Sequence, residues 1–340
     1  MGRDGGIVPI GESELLAAAV PFALPMRRTF RGVRLREGML IQGPSGWGEF
    51  APFDDYDDML AARWLGTAVE AAYGTWPAPR RTAIAVNAII PAVDADAAAV
   101  LVRDAVLAHG CSTIKVKVGG SLAEDEARVA SVRHALDIAL GHGSGRIRLD
   151  ANGAWPAEGA VAALRRLGRY GIEYVEQPCA DEESLRAVRS ACEVPIAIDE
   201  VIRRSADLDT LRQRASQLVQ IADVAILKPT PLGGIAAALR IAEVLPIPVV
   251  VSGALESSVG LSVPAVLAGI LDLDVACGLG TGALLAADLV AEPVCPVGGR
   301  IMAARVAPDL DALLDARGRV SDERALWWRE RLSRAWRAGG

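Results

Sequence analysis

The sequence predicts an α/β fold built on a TIM-like (β/α)8-type barrel, and three observations predict it. From about residue 83, short β-branched runs alternate with alanine-, leucine- and arginine-rich stretches of helical periodicity. Eight such runs occur, a number that favours a closed barrel over an open doubly wound sheet. Five consecutive runs end in a lysine or a carboxylate, each at the same phase of the repeat.

The elements follow in chain order. "MRRTFRGVRLREGMLIQGPSGWGEF" (26–50) reads as antiparallel strands with Gly-Pro-Ser-Gly as a turn. "DDMLAARWLGTAVEAAYG" (57–74) reads as a helix whose first-turn acids complement the helix dipole. Strands are then expected at "IAVNAII", "TIKVKV", "IRLDA", "YVEQ", "IAID", "VAILK", "PVVVSG" and "DVACG". Stretches such as "LAEDEARVASVRHALDIAL" and "PAEGAVAALRRLGRY" supply the helical crossovers that parallel strands require. From about residue 296 the strand rhythm stops, and Trp327, Trp328 and Trp336 are expected to pack on another part of the chain. The expected organisation is an α+β capping domain (1–82), a catalytic barrel (83–295) and a C-terminal segment (296–340) that packs back on the cap.

Composition narrows the function. The chain has 340 residues, of which 51% are hydrophobic and 23% charged, enough for a large core. A net charge of −6, with no basic run, argues against a nucleic-acid partner. Five cysteines are scattered without CxxC spacing, which suggests reduced thiols and not a disulfide framework. "ELLAAAVPFALPM" is short, is broken by Pro21 and Pro25, and lacks a cleavage site. The opening Met-Gly lacks the hydroxyl residue that a myristoylation signal requires. The expectation is a soluble cytoplasmic protein with no nucleic-acid, membrane or obligate protein partner.

Lysine usage points to the site. Of 36 basic side chains only Lys115, Lys117 and Lys228 are lysine. An ammonium shifts its pKa readily and can give up a proton, whereas a guanidinium cannot. Two of the three sit in "STIKVKVGG", two residues apart, and so face one side of a strand. Lys117, Asp150 ("LDANG"), Glu176 ("VEQP"), Asp199 ("IAIDE") and Lys228 ("ILKP") fall at successive strand ends, 23 to 33 residues apart. In a barrel those ends converge on one mouth.

Three carboxylates without histidine or cysteine alongside suit a hard cation, Mg²⁺ first, with Mn²⁺ as the alternative. Such a cation stabilises the charge that appears when the carbon beside a carboxylate loses its proton. Lys117 is placed to be the base. The positive charge of Lys115 and of the metal, with partial burial, favours its neutral form. His109, His134 and His142 all precede the third strand and are read as surface or packing residues.

The "IKVKVGG", "LDANGAW", "VEQP", "AIDE" and "LKP" motifs, the last followed by Gly-Gly, resemble the muconate-lactonizing branch of the enolase superfamily, in the same order across the whole barrel. The resemblance implies Asp150, Glu176 and Asp199 as Mg²⁺ ligands and Lys117 and Lys228 as catalytic lysines on opposite faces of the substrate. It implies Lys115, Asn152 and Glu200 as supporting groups. "FALPMRRTFRGV", "GWGEFAPFDDYDD", "AILKPTPLGG", "SGALESSVGL" and "ACGLGTGALLAAD" resemble the branch's aromatising dehydratases. These eliminate water from a cyclohexadiene carboxylate that carries a succinyl chain, in menaquinone biosynthesis. Ser252, Gly253, Gly278 and Arg28 are then candidate substrate contacts, with Arg31 beside Arg28 on the cap loop.

Several readings stay open. "GLGTG" (278–282) resembles a phosphate loop but comes too late in the chain, and is read as closing the eighth-strand loop. "DDYDD" (54–58) is a cation site or, as preferred, a solvated helix start. Asp272 and Asp274 match the Asp-x-Asp of dipeptide epimerases in the same branch, although they precede "VACG". N-succinylamino acid racemization would use the same two lysines. A non-catalytic binding barrel would have no reason to place all its lysines on barrel strands.

Overall fold

The computed structural model describes residues 10–30, 32–204 and 208–339; Arg31 lies outside them. A short helix α1 (Glu12–Ala17) leads into the antiparallel sheet β1 (Ala19–Phe30), β2 (Val33–Gly43) and β3 (Gly46–Phe50), followed by helix α2 (Asp58–Tyr73). The Asp57 carboxylate accepts the Leu60 N–H at 2.8 Å and starts α2, as a helix cap should.

The barrel begins with β4 (Ala83–Ala85), β5 (Ala88–Ile90) and α3 (Ala95–Leu107). The repeats β6 (Thr113–Lys117) with α4 (Leu122–Leu140), β7 (Arg146–Asp150) with α5 (Ala157–Leu167) and β8 (Ile172–Glu176) with α6 (Glu182–Ala191) come next. β9 (Ile196–Ile198) is followed by α7 (Glu200–Arg204), α8 (Leu208–Gln213) and α9 (Ala215–Leu218). β10 (Val224–Leu227) precedes α10 (Pro229–Leu232) and α11 (Ile235–Val244), and β11 (Val249–Val251) precedes α12 (Ser262–Ile270). β12 (Arg300–Met302), α13 (Leu310–Gly318) and α14 (Asp322–Gly339) complete the described chain.

β5 to β11 form one seven-stranded sheet in sequence order, and every neighbouring pair is parallel. Apolar side chains between sheet and helices, such as Ile114, Leu149, Val175 and Leu227, build the main core. Inside the barrel a smaller set packs together: Tyr174, Ala197, Ile226 and Val250.

Three expectations change here. "IAVNAII" is not one strand: β4 pairs antiparallel with β12, and only β5 joins the parallel sheet. The break falls at Val86–Asn87, where the side-chain oxygen Oδ1 of the buried Asn87 accepts from Arg148 Nη1 at 3.1 Å inside the barrel. "DVACG" is not a ladder strand either. Cys277 and Gly278 form single bridges, to Val86 on one side and Ser252 on the other, and these close the barrel. The segment after residue 296 does contain a strand, β12, short and paired on one side.

The cap's core gathers Met39, Phe50, Trp64, Trp328 and Leu332, so α14 packs against α2 and β3. Trp328 meets Phe50 edge to face at 6.1 Å. "DDYDD" serves this packing: Asp54 pairs with Arg324, and Asp58 with Arg331 and Arg334. The helix α2 also reaches the barrel. Glu70 accepts the Ile235 and Ala236 N–H groups at 2.6 and 2.8 Å, at the start of α11. Gly234, with φ +108°, has no room for a side chain because the Glu70 carboxylate lies where its Cβ would be. Among the described residues no helix is long and apolar enough to cross a membrane.

Trp328 is 1% exposed at the centre of the cap cluster. Trp328→Ala is expected to cost roughly 3–5 kcal/mol of stability, read as a lower denaturant midpoint; an unchanged midpoint would contradict this packing.

Candidate active site

Parallel register builds the site. Lys117 is the register partner of Asp150, and Asp150 of Glu176, so three functional side chains stand on neighbouring strands about 4.8 Å apart. Lys115, two residues before Lys117, projects to the same side and is 7% exposed. After β7 the chain turns through Asn152, whose φ of 47° is in the left-handed region, and after β8 through Gln177 at 42°.

A cavity of about 390 Å³ opens at this mouth. Lys115, Lys117, Asp150, Asn152 and Lys228 line its barrel side. Ser252, Gly253, Leu255 and Thr281 add a wall, and Arg28, Thr29 and Phe53 come from the cap. Glu176 and Asp199 are buried next to the lysines, 1% and 0% exposed. Gly278 does not line the cavity: its N–H donates to the Val251 carbonyl at 2.8 Å and is used in barrel closure. Asp272 and Asp274 pair with Arg81 at 3.2 and 3.0 Å and do not line the cavity.

Charges alternate across the mouth. The Lys115 ammonium lies 2.6 Å from Glu176 Oε2 and 2.9 Å from Asp150 Oδ2. Lys228 lies 2.5 Å from Asp199 Oδ2 and 3.8 Å from Glu176 Oε1. Burial alone would depress the Lys115 pKa, but Asp150 and Glu176 outweigh it and hold the ammonium well above the usual lysine range. Burial would likewise raise Asp199, yet Lys228 and Arg203 hold it well below the usual carboxylate range. For Glu176 burial prevails over Lys115, and its carboxyl is raised.

Lys117 is placed differently. Its ammonium donates to Asn152 Oδ1, and Asn152 Nδ2 donates in turn to Glu200 Oε1 at 3.4 Å. The Asn152 backbone N–H also donates to Asp150 Oδ1 at 3.2 Å. Lys117 is thus held by a neutral amide, which accepts from an amine as well as from an ammonium.

Two contributors were not singled out from the sequence. Gln177 donates from Nε2 to the Cys179 carbonyl at 2.9 Å, and its Oε1 accepts the Asp199 N–H at 3.2 Å, which ties two strand ends together. Arg203 donates from Nε to Asp199 Oδ1 at 2.9 Å, lies 3.1 Å from Glu200, and reaches the Tyr56 hydroxyl of the cap at 3.2 Å. The four-residue spacing from Asp199 at a helix start was the available signal for Arg203. In "VEQP" the sequence marks only the glutamate.

Among the described residues no three His, Cys, Asp or Glu side chains are gathered around one point for a metal ion. The ammonium groups of Lys115 and Lys228 lie between the carboxylates. The donor set nevertheless fits a hard cation: three carboxylates on consecutive strands, with Glu176 Oε1 buried and without a hydrogen-bond partner.

Comparison with known proteins places this geometry in a family. Residues 21–72 match the family described as "Enolase N-terminal domain-like", and residues 97–305 "Enolase C-terminal domain-like". The o-succinylbenzoate synthase of Thermobifida fusca is 46% identical over 317 residues, covering 90% of this chain and 96% of that protein. That of Mycobacterium leprae is 46% identical over 327 residues, covering 94% and 92%. Among solved structures, the muconate lactonizing enzyme of Pseudomonas fluorescens, complexed with muconolactone, superposes with a TM-score of 0.70 at 20% identity, covering 91% and 97%. The L-Ala-D/L-Glu epimerase of Bacillus subtilis also reaches 0.70 at 20% identity, covering 89% and 99%. At that identity the likeness concerns the fold alone, whereas the relatives at 46% extend over nearly the whole chain. The chain therefore belongs to the o-succinylbenzoate synthase family, within the enolase superfamily.

Proposed function

We propose that the chain is an o-succinylbenzoate synthase, a hydro-lyase that dehydrates 2-succinyl-6-hydroxy-2,4-cyclohexadiene-1-carboxylate to 2-succinylbenzoate in menaquinone biosynthesis. The observation that carries this is the 46% identity to synthases across 90% of the chain. The placement of all three lysines on one cavity supports it. A cytoplasmic setting belongs to the same reading and rests on five unpaired cysteines.

Asp150, Glu176 and Asp199 would hold Mg²⁺, the ion generally used in the enolase superfamily. The bound cation supplies stabilisation of the charge that develops on the substrate carboxylate. The neutral Lys117 amine takes the proton from the carbon bearing that carboxylate. The resulting Lys117 ammonium returns the proton to the departing hydroxyl, which leaves as water, and the electron pair of the broken C–H bond completes the aromatic ring. Asn152 holds the lysine nitrogen in place through both states. Lys228, across the carboxylates from Lys117, stabilises the enediolate electrostatically. Lys115 balances Asp150 and Glu176, so that two neighbouring carboxylates stay ionised. Closure of the ring to an aromatic system drives the elimination, and the protein need only lower the barrier to proton removal.

The dipeptide epimerase alternative loses its distinguishing feature, because Asp272 and Asp274 face Arg81 and not the cavity.

Lys117→Ala and Lys117→Arg are each expected to lower kcat by roughly 10²- to 10⁴-fold, with Mg²⁺ binding by calorimetry retained. Turnover that survives in Lys117→Ala would overturn the assignment of the base. Lys115→Met, in chelator, leaves Asp150 and Glu176 without their shared counterion and is expected to destabilise by roughly 3–5 kcal/mol. Burial already raises the Glu176 carboxyl, and the variant raises it further, so the folded state binds more protons than the unfolded chain. The destabilisation should therefore shrink as pH falls toward the unfolded carboxylate pKa near about 4. A loss that grows toward pH 5 in denaturant titrations would contradict the charge balance.

A further inference from the structure

The loop that follows β11 forms a wall of the cavity without regular secondary structure, and something outside it must fix its shape. Leu255, which lines the cavity, has a φ of +71°, a left-handed conformation that non-glycine residues adopt only under strain. Its carbonyl accepts a hydrogen bond at 2.9 Å from Nε of Arg36, a residue of the cap strand β2 that is 3% exposed. The same guanidinium donates to the Ala51 carbonyl and stacks 4.8 Å from the Phe53 ring and 5.6 Å from Trp64. Phe53 is a cavity residue too, contributed by the cap. One buried side chain thus touches both walls, Phe53 from the cap and Leu255 from the barrel.

The surrounding charges make Arg36 a built feature. Glu49 and Glu256 lie close enough to offset its charge. Glu256 accepts the Ala254 N–H and the Thr230 hydroxyl, each at 2.6 Å. Glu49 accepts the Ser257 N–H at 3.1 Å and the Ser257 hydroxyl. Backbone at 254, 255 and 257 is therefore pinned by three charged groups, two of them from the cap.

We infer that Arg36 is a specificity-determining positioning residue: it sets the spacing between Phe53 and Leu255, and so the fit of the part of the substrate that projects away from the lysines. On the synthase reading, on which this rests, that part is the flexible succinyl chain, because the reacting ring carboxylate belongs with the lysines and the metal. Arg36 does not line the cavity; it acts through the two walls.

Arg36→Lys keeps a cation beside Glu49 and Glu256 but loses the planar stacking and the fork of donors. Phe53→Leu removes the stacked ring without changing any charge. In the Mg²⁺-loaded enzyme both variants should raise KM for the cyclohexadiene substrate, and Kd for 2-succinylbenzoate, by about tenfold. Both should change kcat by less than about threefold and leave the Kd for benzoate, which has the ring carboxylate alone, unchanged. A merely structural role would lower the melting temperature and the active fraction without moving the ratio of the two Kd values. Equal weakening of both ligands, or a fall in kcat at constant KM, would overturn the role of Arg36. Wild-type turnover in the same assay reports separately on the synthase reading, so failure of the one is distinguishable from failure of the other.

Discussion

The alternation of ammonium and carboxylate across the barrel mouth is the constraint on which the rest of the site depends. Register brings Asp150 and Glu176 to neighbouring strand ends, and Asp199 follows β9 directly. Carboxylates gathered so closely, with Glu176 and Asp199 fully buried, cannot stay ionised there unaided. Lys115 and Lys228 are interleaved with them at 2.5 to 3.8 Å. The arrangement accounts for the use of lysine in a chain that otherwise uses arginine: a slender ammonium on an unbranched stem fits between carboxylates on a strand ladder, where a planar guanidinium would need more width. Lys117, on the same strand as Lys115, donates to the Asn152 amide oxygen, and its charge also helps to hold Asp150 ionised.

The cap is coupled to this mouth at several points. Glu70 of α2 caps α11, and the Thr67 hydroxyl donates to the Thr230 carbonyl at 2.9 Å, two residues beyond Lys228. Tyr56 receives Arg203, which itself holds Asp199. Arg36 bridges Phe53 and Leu255. The aromatic cluster of Trp64, Phe50 and Trp328 keeps β2 and α2 rigid enough for these contacts to hold position. The barrel supplies the reacting groups, and the cap supplies part of the cavity's shape.

The barrel and its mouth were legible in the sequence because both depend on period and phase. Lysines and carboxylates at the ends of successive strands could be placed together without knowing any side-chain contact. What was not legible depends on contacts between distant segments. "DVACG" has the composition of a strand, but only Cys277 and Gly278 bridge, and the chain turns at once into the Gly280–Leu284 helix. "IAVNAII" was broken by Asn87, whose partner Arg148 is far away in sequence. Arg36 and Arg203 carry no mark that distinguishes them from the many other arginines until the fold brings them to their partners. Gly278, a candidate substrate contact in a loop read as closing the eighth strand, has its N–H engaged with the Val251 carbonyl in closing the barrel.

On the proposed function, the lysines and carboxylates of this mouth perform a metal-dependent elimination. The most direct measurement is ultraviolet-monitored turnover of the cyclohexadiene substrate by the purified protein, with Mg²⁺ and with EDTA. The expected result is conversion to 2-succinylbenzoate that EDTA abolishes and added Mg²⁺ restores. No conversion under either condition, together with proton exchange at the α-carbon of dipeptides or N-succinylamino acids, would contradict it.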